Sequence, residues 1–226
     1  MAEVSAELDV VEKVRAARRR LAEAGPRAAR SAGDFERVAL PNADADVLRD
    51  LLAAERATTV IEVGLAYGAS ALAIAEALVS EGTTGIRHLI IDAYQGHFHG
   101  AGWDAVLAAG LDGMCTLLPE RSQFALPRLA EEGIVADAAF VDGSHVFHNL
   151  FVDLYFLREI IRPGGLVILD DCDYRSVATA VRYFEVNGGW QRRPIDVETR
   201  LRAFRLPDPR LEPNFEDFED FEPFGS

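Results

Sequence analysis

Between residues 58 and 170 the chain alternates short apolar runs with helical stretches. The runs are TTVIEV at 58–63, RHLIID at 87–92, GMCTLL at 113–118, DAAFVD at 137–142 and GLVILD at 165–170. Helical periodicity fills 69–81, 101–110, 122–132 and 147–162 between them. Strands that are apolar throughout, rather than at every second position, are buried on both faces. Parallel strands need a crossover helix between them. The pattern therefore predicts an α/β fold, a doubly wound, Rossmann-like, mostly parallel seven-stranded sheet with helices on both faces. Two further strand candidates, near 190–197 and 201–206, follow a helix over 175–187. The gap between them suits a hairpin, which predicts an antiparallel last strand.

Ahead of the alternation, helices are expected over 6–24 and 44–56, with Asn42 or Asp44 as N-cap of the second. Three segments follow: an N-terminal helical segment at 1–40, one catalytic-type domain at 41–206, and an acidic, Phe-bearing tail at 207–226. The tail reads either as a solvated end or as phenylalanines docked on a partner subunit or over the site. With the amphipathic N-terminus, it makes a homo-oligomer the expected assembly.

Lys and Arg number 23 against 37 Asp and Glu, a formal net charge of -14. A phosphate backbone needs a basic surface, so no nucleic-acid partner is expected. Cys115 and Cys172 lie in apolar runs without CxxC spacing, which argues against zinc and for a reducing compartment. No apolar run reaches the roughly 18 residues of a membrane helix, and the charged N-terminus is no signal peptide. No membrane partner and a cytoplasmic location are expected.

The first strand runs into Gly64-Leu65-Ala66-Tyr67-Gly68-Ala69-Ser70 and then a helix. Strand, glycine turn and helix begin a nucleotide site in doubly wound folds, because glycine lets the backbone approach a ligand. Position 66 is alanine, so the full GxGxxG of a pyrophosphate binder is missing, which counts against a nicotinamide oxidoreductase. Glu62, just before the turn, would repel a pyrophosphate but suits the ammonium of a methionine moiety. Its other reading is a paired structural charge. Ser70 could hold a methionine carboxylate, and Tyr67 and Gly68 complete the expected cofactor contacts. Asp92 ends the second strand, where an acid takes ribose hydroxyls or simply caps a loop. Ser122 and Gln123 follow the third strand and border the base, although Ser122 equally reads as a helix N-cap.

Asp142 ends the fourth strand and Asp170-Asp171 the fifth. In a doubly wound sheet these ends are neighbours at the switch point where ligands bind. Three carboxylates in one place repel unless neutralised, and a hard divalent cation such as Mg²⁺ would do so. His145, three residues past Asp142, is placed to act as general base. His97 and His99 lie in the loop after Asp92 and could line a substrate mouth.

The runs VIEVGLAYGASALAIAEAL, HLIIDAYQ, AFVDGSH and IIRPGGLVILDD resemble the class I S-adenosylmethionine-dependent methyltransferases. The likeness is greatest to the bacterial "methyltransferase domain 24" group, which is related to the catechol-type O-methyltransferases, and it covers about residues 40–206. The resemblance implies S-adenosylmethionine as cofactor, with Glu62, Gly64 and Ser70 at its methionine end, Asp92 at the ribose, and Ser122 and Gln123 at the adenine edge. It implies Asp142, which also touches the cofactor, Asp170 and Asp171 as Mg²⁺ ligands. A cation so held binds the acceptor's oxygens and lowers a hydroxyl pKa. The catechol enzymes carry a lysine base after the first metal aspartate. Here the only lysine is Lys13, which leaves Asp142 and His145 as the expected catalytic pair. The expected reaction is O-methylation of a small metabolite, such as a natural product, sugar or phenol. The alternatives are a metal-independent methyltransferase and a non-catalytic cofactor-binding protein.

Overall fold

The computed structural model describes residues 2–80, 82 and 84–222. The expected helix end at residue 81, and Phe224 with the rest of 223–226, lie outside the described residues. Among the described residues, seven strands form one sheet: β1 (Thr59–Val63), β2 (Arg87–Ile91), β3 (Cys115–Leu118), β4 (Ala136–Val141), β5 (Ile161–Leu169), β6 (Gln191–Arg193) and β7 (Arg202–Arg205). Their order is β3-β2-β1-β4-β5-β7-β6. The first five are parallel, β7 runs antiparallel between β5 and β6, and β6 and β7 form the expected hairpin.

Among the described residues, eight α-helices surround the sheet: α1 (Ala2–Ala24), α2 (Asp34–Val38), α3 (Asn42–Ala54), α4 (Ala69–Ser80), α5 (Ala101–Ala108), α6 (Ser122–Glu131), α7 (Phe147–Ile160) and α8 (Arg175–Asn187). Alternate strand residues enter opposite cores. Ile61, Val63, Val167 and Leu169 pack under α6, α7 and α8, whereas Val60, Phe140, Leu166 and Ile168 pack under α3 and α4. Both sets are apolar, which is why the strands read as continuous apolar runs. Val14, Ala17 and Leu21 of α1 join Leu65 and Leu72 in a shared core, so the N-terminal segment is built onto the sheet domain. No helix among the described residues is long and apolar enough to cross a membrane.

Three local expectations change. The helix α3 begins at Asn42 after Pro41, with no side-chain cap. Asp44 instead accepts the Thr199 hydroxyl at 2.5 Å from the β6–β7 connection. The helix α7 passes into β5 at Ile160–Ile161 without a loop, and β5 starts before the GLVILD run because Arg162-Pro163-Gly164 forms an irregular strand beside Ala136–Ala138. The tail packs on its own chain: Asn187 of α8 exchanges two hydrogen bonds with the Glu219 main chain, at 2.8 and 3.0 Å. The Phe221 ring meets Tyr183, while Phe215 stays exposed.

Glu62 is fully buried on the α4 face of β1. It accepts the Ser70 hydroxyl, and its Oε2 lies 2.9 Å from Nε2 of the equally buried His88. That second contact has ion-pair distance without hydrogen-bond alignment, so charge attraction holds it. Burial favours a neutral imidazole, but the Cys115 and Glu62 contacts outweigh it and raise His88 to about 9. Replacing His88 with Ala strands a buried carboxyl and is expected to cost about 3–5 kcal/mol in chemical denaturation. A raised imidazole pKa contributes stability that is complete below the unfolded value of 6.5 and lost as pH rises through about 9. The unfolding midpoint should therefore decline across that window, and a Glu62→Gln/His88→Gln variant should lack that part of the decline.

Candidate active site

The ladder of the sheet continues one residue past four strands. Gly64 N bonds Ile91 O at 2.9 Å, Asp92 N bonds Leu118 O at 3.1 Å, Asp142 N bonds Val63 O at 2.9 Å, and Asp170 N bonds Val141 O at 3.1 Å. These four residues therefore lie along one edge, at the carboxyl ends of the strands. A cavity of about 700 Å³ opens there. Its walls include Gly64, Asp92, Ser122, Gln123, Asp142, His145 and Asp171.

The glycine loop is shaped by close backbone contact. Gly64 has φ +98°, and a Cβ there would stand 2.2 Å from the Asp142 carbonyl oxygen. Gly68 has φ +85° and faces the Gly102 backbone. Ala66 adopts φ 44°, the left-handed region that a side chain disfavours. Asp92 holds this loop: its Oδ2 accepts the main-chain N–H groups of Leu65 at 3.0 Å and Ala66 at 3.1 Å and the Gln95 amide at 2.9 Å, and its Oδ1 accepts Tyr94 N at 2.6 Å. The carboxylate thus braces the loop and lines the cavity at once.

Four expected cofactor contacts stand elsewhere. Glu62 and Ser70 face each other inside the α4 side of the sheet. Tyr67 is buried and donates its hydroxyl to Asp34 at 2.5 Å, while Phe35 and Phe98 meet its ring edge-on, so it ties the N-terminal segment to the domain. Gly68 packs on α5. None of the four lines the cavity. Ser122 is the first residue of α6 and follows Arg121, so it lines the cavity without serving as N-cap.

The acidic cluster is arranged around two cations that are part of the protein. Ligand atoms of Asp142, His145 and Asp171 lie within 4.8 Å of one another. His145 Nε2 is 2.9 Å from Asp171 and 3.9 Å from Asp142. Asp142 and Asp171 together raise the imidazole to about 10. Burial, then the Asp170 and Asp171 charges, push the Asp142 carboxyl up to about 6. Asp170 turns away from this group and meets the guanidinium of Arg200, which reaches in from the β6–β7 connection. Asp171 has φ 57°, so two adjacent aspartates that would alternate along a strand face different partners. Tyr174 stacks on the His145 ring at 5.1 Å, and the Ser176 hydroxyl donates to the His145 carbonyl at 2.6 Å. His97 lines the mouth, stacked on Tyr94.

Arg200, Asn149 and Tyr174 line the cavity without having been singled out in the sequence. Nothing local marks them: Arg200 is one of many arginines and meets a partner 30 residues away. Asn149 donates to the Ser144 hydroxyl at 3.0 Å, fixing the loop that carries His145, and its place one turn into α7 was the only available hint.

A family model described as "Methyltransferase domain" matches residues 61–172, the stretch that carries the glycine loop, Asp92 and the acidic strand ends. Similar solved structures include the O-methyltransferase from Bacillus cereus in complex with S-adenosylhomocysteine, at 16% identity and TM-score 0.62 over 87% of this chain and 90% of that one. The O-methyltransferase TomG from Streptomyces achromogenes, involved in tomaymycin synthesis and solved with S-adenosylmethionine, gives 18% and 0.64 over 88% and 89%. A TDP-rhamnose 3'-O-methyltransferase of calicheamicin biosynthesis gives 17% and 0.58 over 70% and 77%. No curated protein matches by sequence. The family model thus places residues 61–172 in a methyltransferase domain, and the strand order and the similar solved structures give the chain the class I methyltransferase fold.

Proposed function

We propose that the enzyme transfers the methyl group of S-adenosylmethionine to a hydroxyl oxygen of a small metabolite, with a divalent cation such as Mg²⁺ at the acidic strand ends. The observation that carries this reading is that Asp142, His145 and Asp171 converge on the same cavity as Gly64 and Asp92. Cofactor and acceptor chemistry then share one space. The cofactor's ribose falls to Asp92 and its base to Ser122 and Gln123, which sets the methyl group toward β4 and β5.

Two carboxylates and an imidazole nitrogen within 4.8 Å suit a divalent cation. Among the described residues, Asp142, Asp170 and Asp171 face only two cationic groups, Arg200 and His145, so one negative charge is left over. Asp142 and Asp171 would hold the ion, with His145 beside them and Asp170 retained by Arg200. Bound there, it would supply Lewis acidity that makes the acceptor hydroxyl easier to ionise. His145 keeps its proton while both carboxylates face it bare. Once they are neutralised, the imidazole returns toward its ordinary range and can accept the hydroxyl proton. Tyr94, His97 and Tyr174 at the rim offer ring faces and hydrogen-bond groups to a sugar, phenolic or natural-product acceptor. The names of the similar structures, one acting on TDP-rhamnose and one in tomaymycin synthesis, support that class.

One observation favours a second reading, methylation without a metal: Arg200 already supplies a fixed positive charge to the cluster. Chelation separates the two. Under the first reading, EDTA abolishes turnover and Mg²⁺ restores it, while S-adenosylhomocysteine still binds in calorimetric titration. Turnover unchanged by EDTA supports the second. Replacing His145 with Ala is expected to lower kcat at least ~tenfold, as general-base loss does, and to leave the Kd for S-adenosylhomocysteine within about twofold. Unchanged kcat would remove His145 from the chemistry.

A further inference from the structure

Asp153 lies on α7 and is completely buried, on the side facing α6. Its Oδ1 accepts the Gln123 amide at 3.2 Å. Its Oδ2 is buried without a partner. Burial raises this carboxyl to about 7, and the Ser122 and Gln123 hydrogen bonds oppose the rise. A buried carboxyl of this kind is costly, and nothing described so far uses it.

The contact has a consequence for Gln123. Its Nε2 donates to Asp153 and also to the Ser122 hydroxyl at 2.8 Å. Both amide hydrogens are therefore spent on the protein. An ionised carboxylate only accepts hydrogen bonds, so it dictates which end of the amide turns toward it. The group left for the cavity, which Gln123 lines, is the carbonyl oxygen. Sheet order fixes what meets that oxygen. The acidic cluster stands at β4 and β5, Asp92 at β2, and Gln123 beyond β3. A nucleoside whose reacting end lies over β4 and β5 extends its base toward β3.

We infer that Asp153 is a positioning residue for cofactor selectivity. It holds Gln123 with an acceptor toward the base, which selects a 6-aminopurine nucleoside over a 6-oxopurine one. An exocyclic amine donates to that oxygen, whereas a 6-oxo group would place two acceptors face to face. This inference rests on the cofactor reading above.

The test is calorimetric titration of S-adenosylhomocysteine and S-inosylhomocysteine at about pH 8.5, above the Asp153 value of about 7. The wild type is expected to prefer the adenine compound by roughly tenfold to a hundredfold, the range an unpaired buried polar group produces. Asp153→Asn can donate to the Gln123 oxygen and turn the amide round. The preference should then fall at least ~fivefold, within the effect of one hydrogen bond. Gln123→Leu should lose the preference as well, and adding Asp153→Asn to it should change the ratio no further. An equal effect of Asp153→Asn in both backgrounds would mean a merely structural role and overturn the inference. So would an unchanged ratio in the single variant. If the wild type binds neither compound, the cofactor reading falls and this inference with it.

Discussion

The Asp92 carboxylate accepts four hydrogen bonds, from the main chain of Leu65, Ala66 and Tyr94 and from the Gln95 side chain. The loop it holds contains three departures from ordinary backbone at every second residue: Gly64, Ala66 and Gly68 all have positive φ. Such conformations persist only when the surroundings overdetermine them. The same carboxylate joins two strand ends, since the loop leaves β1 and Asp92 leaves β2. Gly64 then lies against the Asp142 carbonyl, so the position of the acidic end of β4 depends on the shape of the loop. The glycine loop and the acidic end of β4 are coupled through backbone contact.

Charge is the second organising constraint. The chain carries a net charge of -14 and concentrates three aspartates at two adjacent strand ends. The protein relieves that concentration in two ways. Arg200 neutralises the most deeply placed of them, Asp170, from a distant part of the chain. His145 sits between the other two and holds a proton for them. Three carboxylates face two cations, so one negative charge is left over, and burial together with the neighbouring aspartates raises the Asp142 carboxyl. The remaining negative charge faces the cavity rather than the core, where it is available for chemistry.

The sheet was legible in the sequence because both faces are covered, which makes β1, β2, β4 and β5 mostly apolar on both faces and easy to tell from helices. That the acidic ends of β4 and β5 meet was legible because the doubly wound topology puts those strand ends side by side, and of the three aspartates expected there Asp142 and Asp171 group with His145. The residues that stand away from the cavity do so for physical causes too. Glu62 and Ser70 flank the glycine loop at ligand-like spacing, but a strand turns successive side chains to opposite faces, and Glu62 falls on the α4 side with His88. Tyr67 stands within the loop and is drawn inward by Asp34 from the N-terminal segment. Asp170 and Asp171 read as a pair, but Asp170 faces Arg200 and Asp171 faces His145. Arg200 and the Asp44–Thr199 contact were invisible because they join positions far apart in sequence, about which local pattern carries no information.

The placement of β7 between β5 and β6 has a consequence for how the chain assembles. Arg200 stands two residues before β7, after all three aspartates in the chain, and is the cation that Asp170 faces. During synthesis, N-terminal elements gain structure first. The parallel strands that carry the three aspartates are therefore complete while their counter-charge is still to come. Closing the hairpin of β6 and β7 adds the last paired strand and delivers the guanidinium in one event. The final step of building the sheet is thus also the step that relieves its most crowded charges, and a chain that stops short of that hairpin keeps its aspartates in mutual repulsion.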